Sequence, residues 1–338
     1  MPYIENQPVD NWIARFEDET VLEPELPIID AHHHLWDLRP YDADPRQFFQ
    51  TKVYLVDDIM ADINRSGHHI IQTVFAQCGA FYRADGDISL RSLGETQFVQ
   101  GMAAMSRSGL YGPTRLCTAM VGEVDLRLGS AVKSIFESHL KINPGFSGIR
   151  SAFPSDFNQS FLDGFKVLSE FNLSFDHFSP DVDRLAALAK LAAMFPDVPF
   201  IVNHLGAKID SLADKAIFDY WRQAIVEIAK LPNVYMKVGG IQKRVGAWEP
   251  HFHLNQADKP LNSLEFLELL YPYYFHVIDT FGPHRCMFES NYPVERECVS
   301  YRVLWNIFKR VAAKAGLSQS EKNAIFHGTA AKVYRLSL

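Results

Sequence analysis

Two histidines one residue apart, at the end of an apolar run, are the first feature of this 338-residue chain that can do chemistry. The run reads Ile28-Ile29-Asp30-Ala31-His32-His33-His34. Alternate side chains of an extended chain share a face, so His32 and His34 point one way and can reach one metal ion or one substrate, while His33 points away. A tag remnant or a loop cluster is the alternative, and the apolar residues directly before the histidines argue against it. His177 sits in Phe175-Asp176-His177-Phe178, where an isolated imidazole is either a satisfied core residue or a ligand. Arg150 closes another apolar run, Gly148-Ile149-Arg150, and a guanidinium taken out of water needs a protein carboxylate or an anionic ligand. Glu289 and Asn291, in Glu289-Ser290-Asn291-Tyr292-Pro293, are two apart and share a strand face. Such a carboxylate serves either as a catalytic base or in an internal ion pair, for instance with Arg150 or Lys237.

Groups spread this widely along a chain need a scaffold that gathers them. Eight short apolar segments rich in β-branched or aromatic residues recur at 27–30, 69–76, 116–124, 146–153, 173–178, 199–202, 234–238 and 286–288. Between them, 185–194 and 218–229 carry apolar residues at three- and four-residue spacing, as helices covering a sheet do. Eight strands alternating with helices predict an α/β fold, a single (β/α)8 TIM barrel; an open doubly wound sheet is the alternative. No Gly-x-Gly-x-x-Gly turn follows the first segment, which argues against a nucleotide-binding sheet. The expected division is an N-terminal extension, 1–26, packed on a barrel spanning 27–338 that includes the C-terminal helices. In a parallel barrel the C-terminal strand ends carry the active site, and this raises His177 from core residue to ligand candidate. Two polar stretches, 81–111 and 242–260, are expected as long βα loops over that face, with Tyr82, Arg83 and Arg244 as substrate-binding candidates.

Composition narrows the partners. The 33 basic and 40 acidic residues give a formal charge of -7 without a basic stripe, so nucleic acid is not an expected partner. Cys78, Cys117, Cys286 and Cys298 are scattered without a Cys-x-x-Cys pair, which suggests neither a disulfide framework nor a zinc ribbon and points to a reducing compartment. There is no signal-peptide pattern and no apolar run of membrane-spanning length, so the expected location is the cytoplasm. A homo-oligomer is left open.

The first-strand Asp30-x-His32-x-His34 pattern, with Pro199-Phe-Ile-Val-Asn-His204-Leu-Gly206 and Arg285-Cys-Met-Phe-Glu289-Ser-Asn291-Tyr-Pro293, resembles the amidohydrolase-2 branch of the amidohydrolase superfamily. The resemblance runs from about residue 27 to the C-terminal helix and leans toward lactonases acting on sugar lactones and on pyrone or muconolactone carboxylates. It implies that His32 and His34 are paired metal ligands, that His204 is the histidine ending the sixth strand, and that His177 is a further ligand. It also implies that Arg150 pairs with a substrate carboxylate. Four imidazoles at one barrel mouth suit a single divalent ion, zinc first, with an open position for water or substrate.

The pattern breaks at the eighth strand, where Asn291 stands in place of the family's Asp. An amide cannot take a proton from water near neutral pH. Three readings follow: Glu289 has taken over as base; His177 or His204 is the base while Asn291 orients water or a carbonyl; or hydrolysis has been lost. A metal-independent site is equally an alternative for the same reason. The expected reaction is opening of a lactone bearing a carboxylate or hydroxyls by activated water. A metal-dependent nonoxidative decarboxylase and a catalytically impaired binding protein are the alternatives.

Overall fold

The computed structural model describes residues 3–16, 18–39, 45–154, 156–206, 214–241 and 259–338. Eight strands form one parallel sheet: β1 (Ile28–His33), β2 (Ile70–Ala76), β3 (Arg115–Gly122), β4 (Phe146–Arg150), β5 (Ser174–His177), β6 (Phe200–Val202), β7 (Val234–Val238) and β8 (Cys286–Phe288). Each strand pairs with its neighbours in sequence, and each coincides with one of the eight segments expected from the sequence. Closure between β8 and β1 lies beyond the regular ladder: the Asn291 amide donates to the His32 carbonyl (2.8 Å) and the His34 amide to the Tyr292 carbonyl (2.7 Å). Asp30 adds to it by accepting from the Ser290 amide (2.8 Å) and hydroxyl (2.6 Å) and from the Tyr301 hydroxyl (2.9 Å). The molecule is a (β/α)8 barrel.

Helices follow where the sequence alternates with a period near 3.6 and supplies caps. Around the barrel lie α1 (Gln7–Ile13), α2 (Val56–Ser66), α3 (Leu93–Arg107), α4 (Val132–Ile142), α5 (Gln159–Glu170), α6 (Arg184–Met194), α7 (Lys215–Ala229), α8 (Ser263–Phe281) and α9 (Tyr301–Lys314), with α10 (Gln319–Asn323) and α11 (Thr329–Tyr334) completing the chain. Asn262 caps α8 by accepting from the Leu264 and Glu265 amides, while Glu265 accepts from the Asn262 amide at 2.8 Å, a reciprocal capping box. The segment expected as a long loop over 81–111 is shorter than that: almost half of it is α3, whose Leu93, Val99 and Ala103 face the core. Its polar outer face hides the helical period, so composition there reads as loop.

Two apolar layers hold the barrel. A large one lies between strands and helices. A smaller one fills the interior with Ile29, Ala31, Val74, Ala119, Val121, Ile201 and Met287, and is stoppered by Val333 and Tyr334 of α11. At the other end of the chain, α1 buries Val9 and Trp12, and Asp10 pairs with Arg296 at 2.9 Å. Among the described residues no helix is long and apolar enough to cross a membrane, and all four cysteines are unbridged.

Candidate active site

The strand ends bring His32, His34, His204 and Glu289 together. β1 does not run regularly into this cluster: its register slips between Asp30 and His33, so the histidines leave the ladder on a bulge. His32 is fully buried, and its Nε2 lies 3.2 Å from the Nε2 of His34. His34 Nδ1 lies 2.7 Å from the Ala76 carbonyl, which can only accept, so this nitrogen carries the proton and Nε2 presents a lone pair to His32. His33 turns away, with Nε2 2.8 Å from the Thr73 hydroxyl.

On its other side, His32 Nδ1 is 3.1 Å from Glu289 Oε2 and 3.2 Å from Lys237 Nζ. Burial and the neighbouring Lys237 hold the His32 imidazole well below its ordinary pKa, so it is uncharged. A neutral ring has one proton for two contacts. Either Nε2 facing His34 or Nδ1 facing Glu289 is therefore left with lone pairs on both sides unless a cation is shared there. The Lys237 ammonium beside Nδ1 and the Arg150 guanidinium, 3.4 Å from Nε2, are two such cations; a divalent ion is a third. Separations of 3.1 and 3.2 Å are close to the roughly 3.4 Å between two ligand atoms on a tetrahedral ion bound at 2.0–2.1 Å. The residues fit a metal in a further respect: His32, His204 and Glu289 are all buried and can offer ligand atoms within 4.8 Å of one another.

Glu289 is fully buried. One oxygen accepts from the His204 ring at Nδ1 (2.7 Å) and from the His204 backbone amide (3.1 Å), which leaves the lone pair of that imidazole on Nε2. Space for this pair comes from two glycines after β7. A Cβ on Gly240 would lie 2.1 Å from His204 Nδ1, and one on Gly239 would lie 2.4 Å from the Glu289 carbonyl oxygen. Backbone strain gathers here too, with His204, Leu205 and Asn291 in the left-handed region at φ 54°, 57° and 53°. Beneath the cluster, Lys237 donates to Asp176 at 2.8 Å; both are fully buried, and Asp176 also accepts from Asn203 (3.0 Å) and from the Tyr334 hydroxyl. Glu289, for which the sequence leaves an ion pair with Arg150 or Lys237 as the alternative to a role as base, turns to the histidines, and Lys237 pairs with Asp176 two strands away.

Arg150 borders this cluster and a cavity of about 340 Å³. Its NH1 lies 3.4 Å from His32 Nε2, its Nε donates to Gln77 Oε1 at 3.2 Å, and its NH2 donates to the Gln77 carbonyl. Among the described residues no carboxylate pairs with it. His177 lines the same cavity rather than joining the other imidazoles, with its ring 4.9 Å from that of Phe153 and its buried Nε2 without a partner among the described residues. Burial, then Arg184, lowers its pKa to about 3. Tyr82 reaches the cavity's edge, donating its hydroxyl to Glu123. Arg83 does not: it turns outward to Gln97 Oε1 at 3.0 Å. Arg244 and the rest of 242–258 lie outside the described residues. Asn291 donates from Nδ2 to Glu295 Oε1 at 3.3 Å, and its buried Oδ1 has no partner among the described residues. Sequence reasoning missed Asp176, Gln77, Glu123 and Arg184. A lysine within the apolar run Val234–Val238 signals a buried ion pair, but its partner is invisible without the barrel.

Comparison with known proteins agrees with this picture. Residues 140–336 match the Amidohydro_2 family, described as amidohydrolase. The chain is 30% identical over 338 aligned residues to an uncharacterized protein, y4mH, of Sinorhizobium fredii, covering 92% of this chain and 99% of that one. It is 24% identical to an L-fucono-1,5-lactonase of Burkholderia ambifaria, over 91% of this chain and 95% of that enzyme. In structure it superposes on a Burkholderia multivorans amidohydrolase with bound zinc at a TM-score of 0.71 and 23% identity, covering 92% and 99% of the two chains. A manganese-bound 5-carboxyvanillate decarboxylase of Novosphingobium aromaticivorans has the same fold at a TM-score of 0.59 and 14% identity, covering 93% and 97%. With more than half its length matched, this chain is a member of the Amidohydro_2 amidohydrolase family.

Proposed function

We propose that the protein hydrolyses a lactone whose ring carries hydroxyl groups. The reading rests on one observation: the Glu289 carboxylate grips His204 through both ring and backbone, beside an arginine that has no carboxylate partner among the described residues. Glu289 holds the proton of His204 on Nδ1 and so keeps Nε2 basic. In the proposed reaction His204 Nε2 takes a proton from water as the water oxygen bonds to the acyl carbon. Arg150 donates to the carbonyl oxygen as it becomes an oxyanion. The ring C–O bond then breaks, and the proton held by His204 passes to the departing alkoxide, leaving an open hydroxy acid. A divalent ion would be held by His32 and His34, which leaves His204 Nε2 to act as base, and when bound it supplies Lewis-acid polarisation of a carbonyl. Zinc is first choice for a set dominated by imidazoles.

The lactonase relatives, an L-fucono-1,5-lactonase and an L-rhamnono-gamma-lactonase of Scheffersomyces stipitis, support hydroxylated lactones over carboxylate-bearing ones. The decarboxylase likeness concerns fold alone. The test is to offer purified protein a hydroxylated sugar lactone, a carboxylate-bearing lactone and a hydroxylated aromatic acid, and to follow acid release by pH-stat and CO2 by gas analysis. Acid release from the sugar lactone, abolished in His32→Ala, is expected. CO2 from the aromatic acid with no acid release from either lactone would overturn the reading.

A further inference from the structure

The cavity beside Arg150 holds a charged group that the proposed hydrolysis does not use. Glu123 follows β3 and lines the cavity together with the aromatic residues Phe153 and Phe178. Its Oε2 accepts from the Tyr82 hydroxyl and from Gln77 Nε2, the latter at 3.2 Å. Its Oε1 takes no donor, and no cation pairs with it, among the described residues. Gln77 in turn accepts from Arg150 at 3.2 Å, so one amide spaces the carboxylate from the guanidinium and prevents a direct ion pair. Two neutral donors thus fix a carboxylate in position without neutralising it.

A carboxylate only accepts hydrogen bonds, so what docks against Oε1 must present O–H or N–H groups. Arg150 and Arg184, on the same cavity, repel a cation there, while Glu123 repels an anion. An uncharged ring with hydroxyls satisfies both signs: hydroxyl hydrogens toward Glu123, carbonyl oxygen toward Arg150, and an apolar face toward Phe178. His177 Nε2, buried and without a partner among the described residues, belongs to a residue that lines the same cavity and is a second station for a hydroxyl.

We infer that Glu123 is the specificity residue of this cavity, accepting from substrate hydroxyls remote from the reacting carbonyl and turning away substrates that place a carboxylate there. The inference rests on the lactone reading above, which assigns Glu123 no role. It is tested by measuring kcat and KM for a hydroxylated lactone and for a carboxylate-bearing lactone of the same ring size, in wild type, Glu123→Gln and Glu123→Asp, with Tm recorded for each. Loss of one charged hydrogen bond predicts a roughly tenfold or greater rise in KM for the hydroxylated substrate in Glu123→Gln, with kcat little changed. The carboxylate-bearing substrate should improve or stay level, so that the preference between the two narrows by at least tenfold. Glu123→Asp keeps the charge and should keep the rejection of the anion while weakening the hydroxylated substrate; it also serves if the Gln variant does not fold. An unchanged preference in folded variants overturns the inference and leaves the lactone reading standing. If wild type opens no lactone, the lactone reading fails on its own. Calorimetric binding of a hydroxylated lactam then tests Glu123 separately, and equal affinity in wild type and Glu123→Gln overturns its role.

Discussion

At the scale of single residues the mechanism turns on whether Glu289 or His204 accepts the proton. Glu289 is buried behind two imidazoles and already receives two N–H groups from His204, the environment of an orienting carboxylate. Glu289→Gln replaces an acceptor by an amide that can present N–H to Nδ1 and so invert the tautomer. By analogy with Asp→Asn in a Ser-His-Asp triad, kcat should fall roughly 10²–10⁴-fold with KM little changed. His204→Asn should cost about as much, and the double variant no more than either alone, because the two act as a unit. Additive losses in that cycle would sink the dyad and restore Glu289 as an independent base. His32 and His34 are legible in sequence because alternation along a strand decides which side chains share a face, and Arg150 because it closes an apolar run where a guanidinium needs a partner. The orientation of Glu289 is not legible, since it depends on Gly239 and Gly240, whose missing side chains make room for it only once β6, β7 and β8 are adjacent.

At the scale of elements, the barrel strands were readable because each is a short β-branched or aromatic run, and their ends differ from expectation by a few residues at most. What local pattern could not supply was pairing across the interior. Lys237 on β7 and Asp176 on β5 sit on strands separated by β6, and only a closed barrel brings them to 2.8 Å. Removing one partner of such a buried pair leaves an uncompensated charge, so Lys237→Met should destabilise by about 3–5 kcal/mol. Combined with Asp176→Asn, much of that loss should be recovered, as read from urea unfolding midpoints. Equal destabilisation in the single and double variants would show that packing rather than charge sets the cost. Arg83 shows the limit of reading loops: Tyr82 beside it donates to Glu123 at the cavity, but nothing in the sequence says that the Arg83 guanidinium turns to Gln97.

For the whole molecule, buried titratable groups set the response to acid. Burial lowers His33, His68 and His177 to about 3 and His139 to about 4, so these rings stay neutral in the fold while the unfolded chain protonates near 6.5. Their contribution is complete above pH 6.5 and is lost as the pH falls toward the folded values. Asp30 and Glu95, raised by burial to about 6 and about 7, act in the opposite sense: their contribution is present at low pH and lost as the pH rises through those values. His32 and His34 are held well below the ordinary value as well, so between pH ~4.5 and ~6 the buried imidazoles outweigh the two carboxyls and the unfolded chain binds more protons than the fold. Stability measured by chemical denaturation should therefore fall as the pH is lowered across that interval; a flat or rising profile would contradict the buried neutral histidines.

Closure of the barrel between Ser290 and His32, 258 positions apart, has a consequence for synthesis. The strand carrying the paired histidines leaves the ribosome 258 residues before the partner that completes its free edge. Until then one side of β1 presents unpaired backbone groups and a row of apolar side chains, the kind of edge that recruits other chains. Contacts of such long range also form slowly. Yield of folded protein should accordingly depend on expression rate and temperature more than on the stability of the finished barrel, because the vulnerable species is the nascent one.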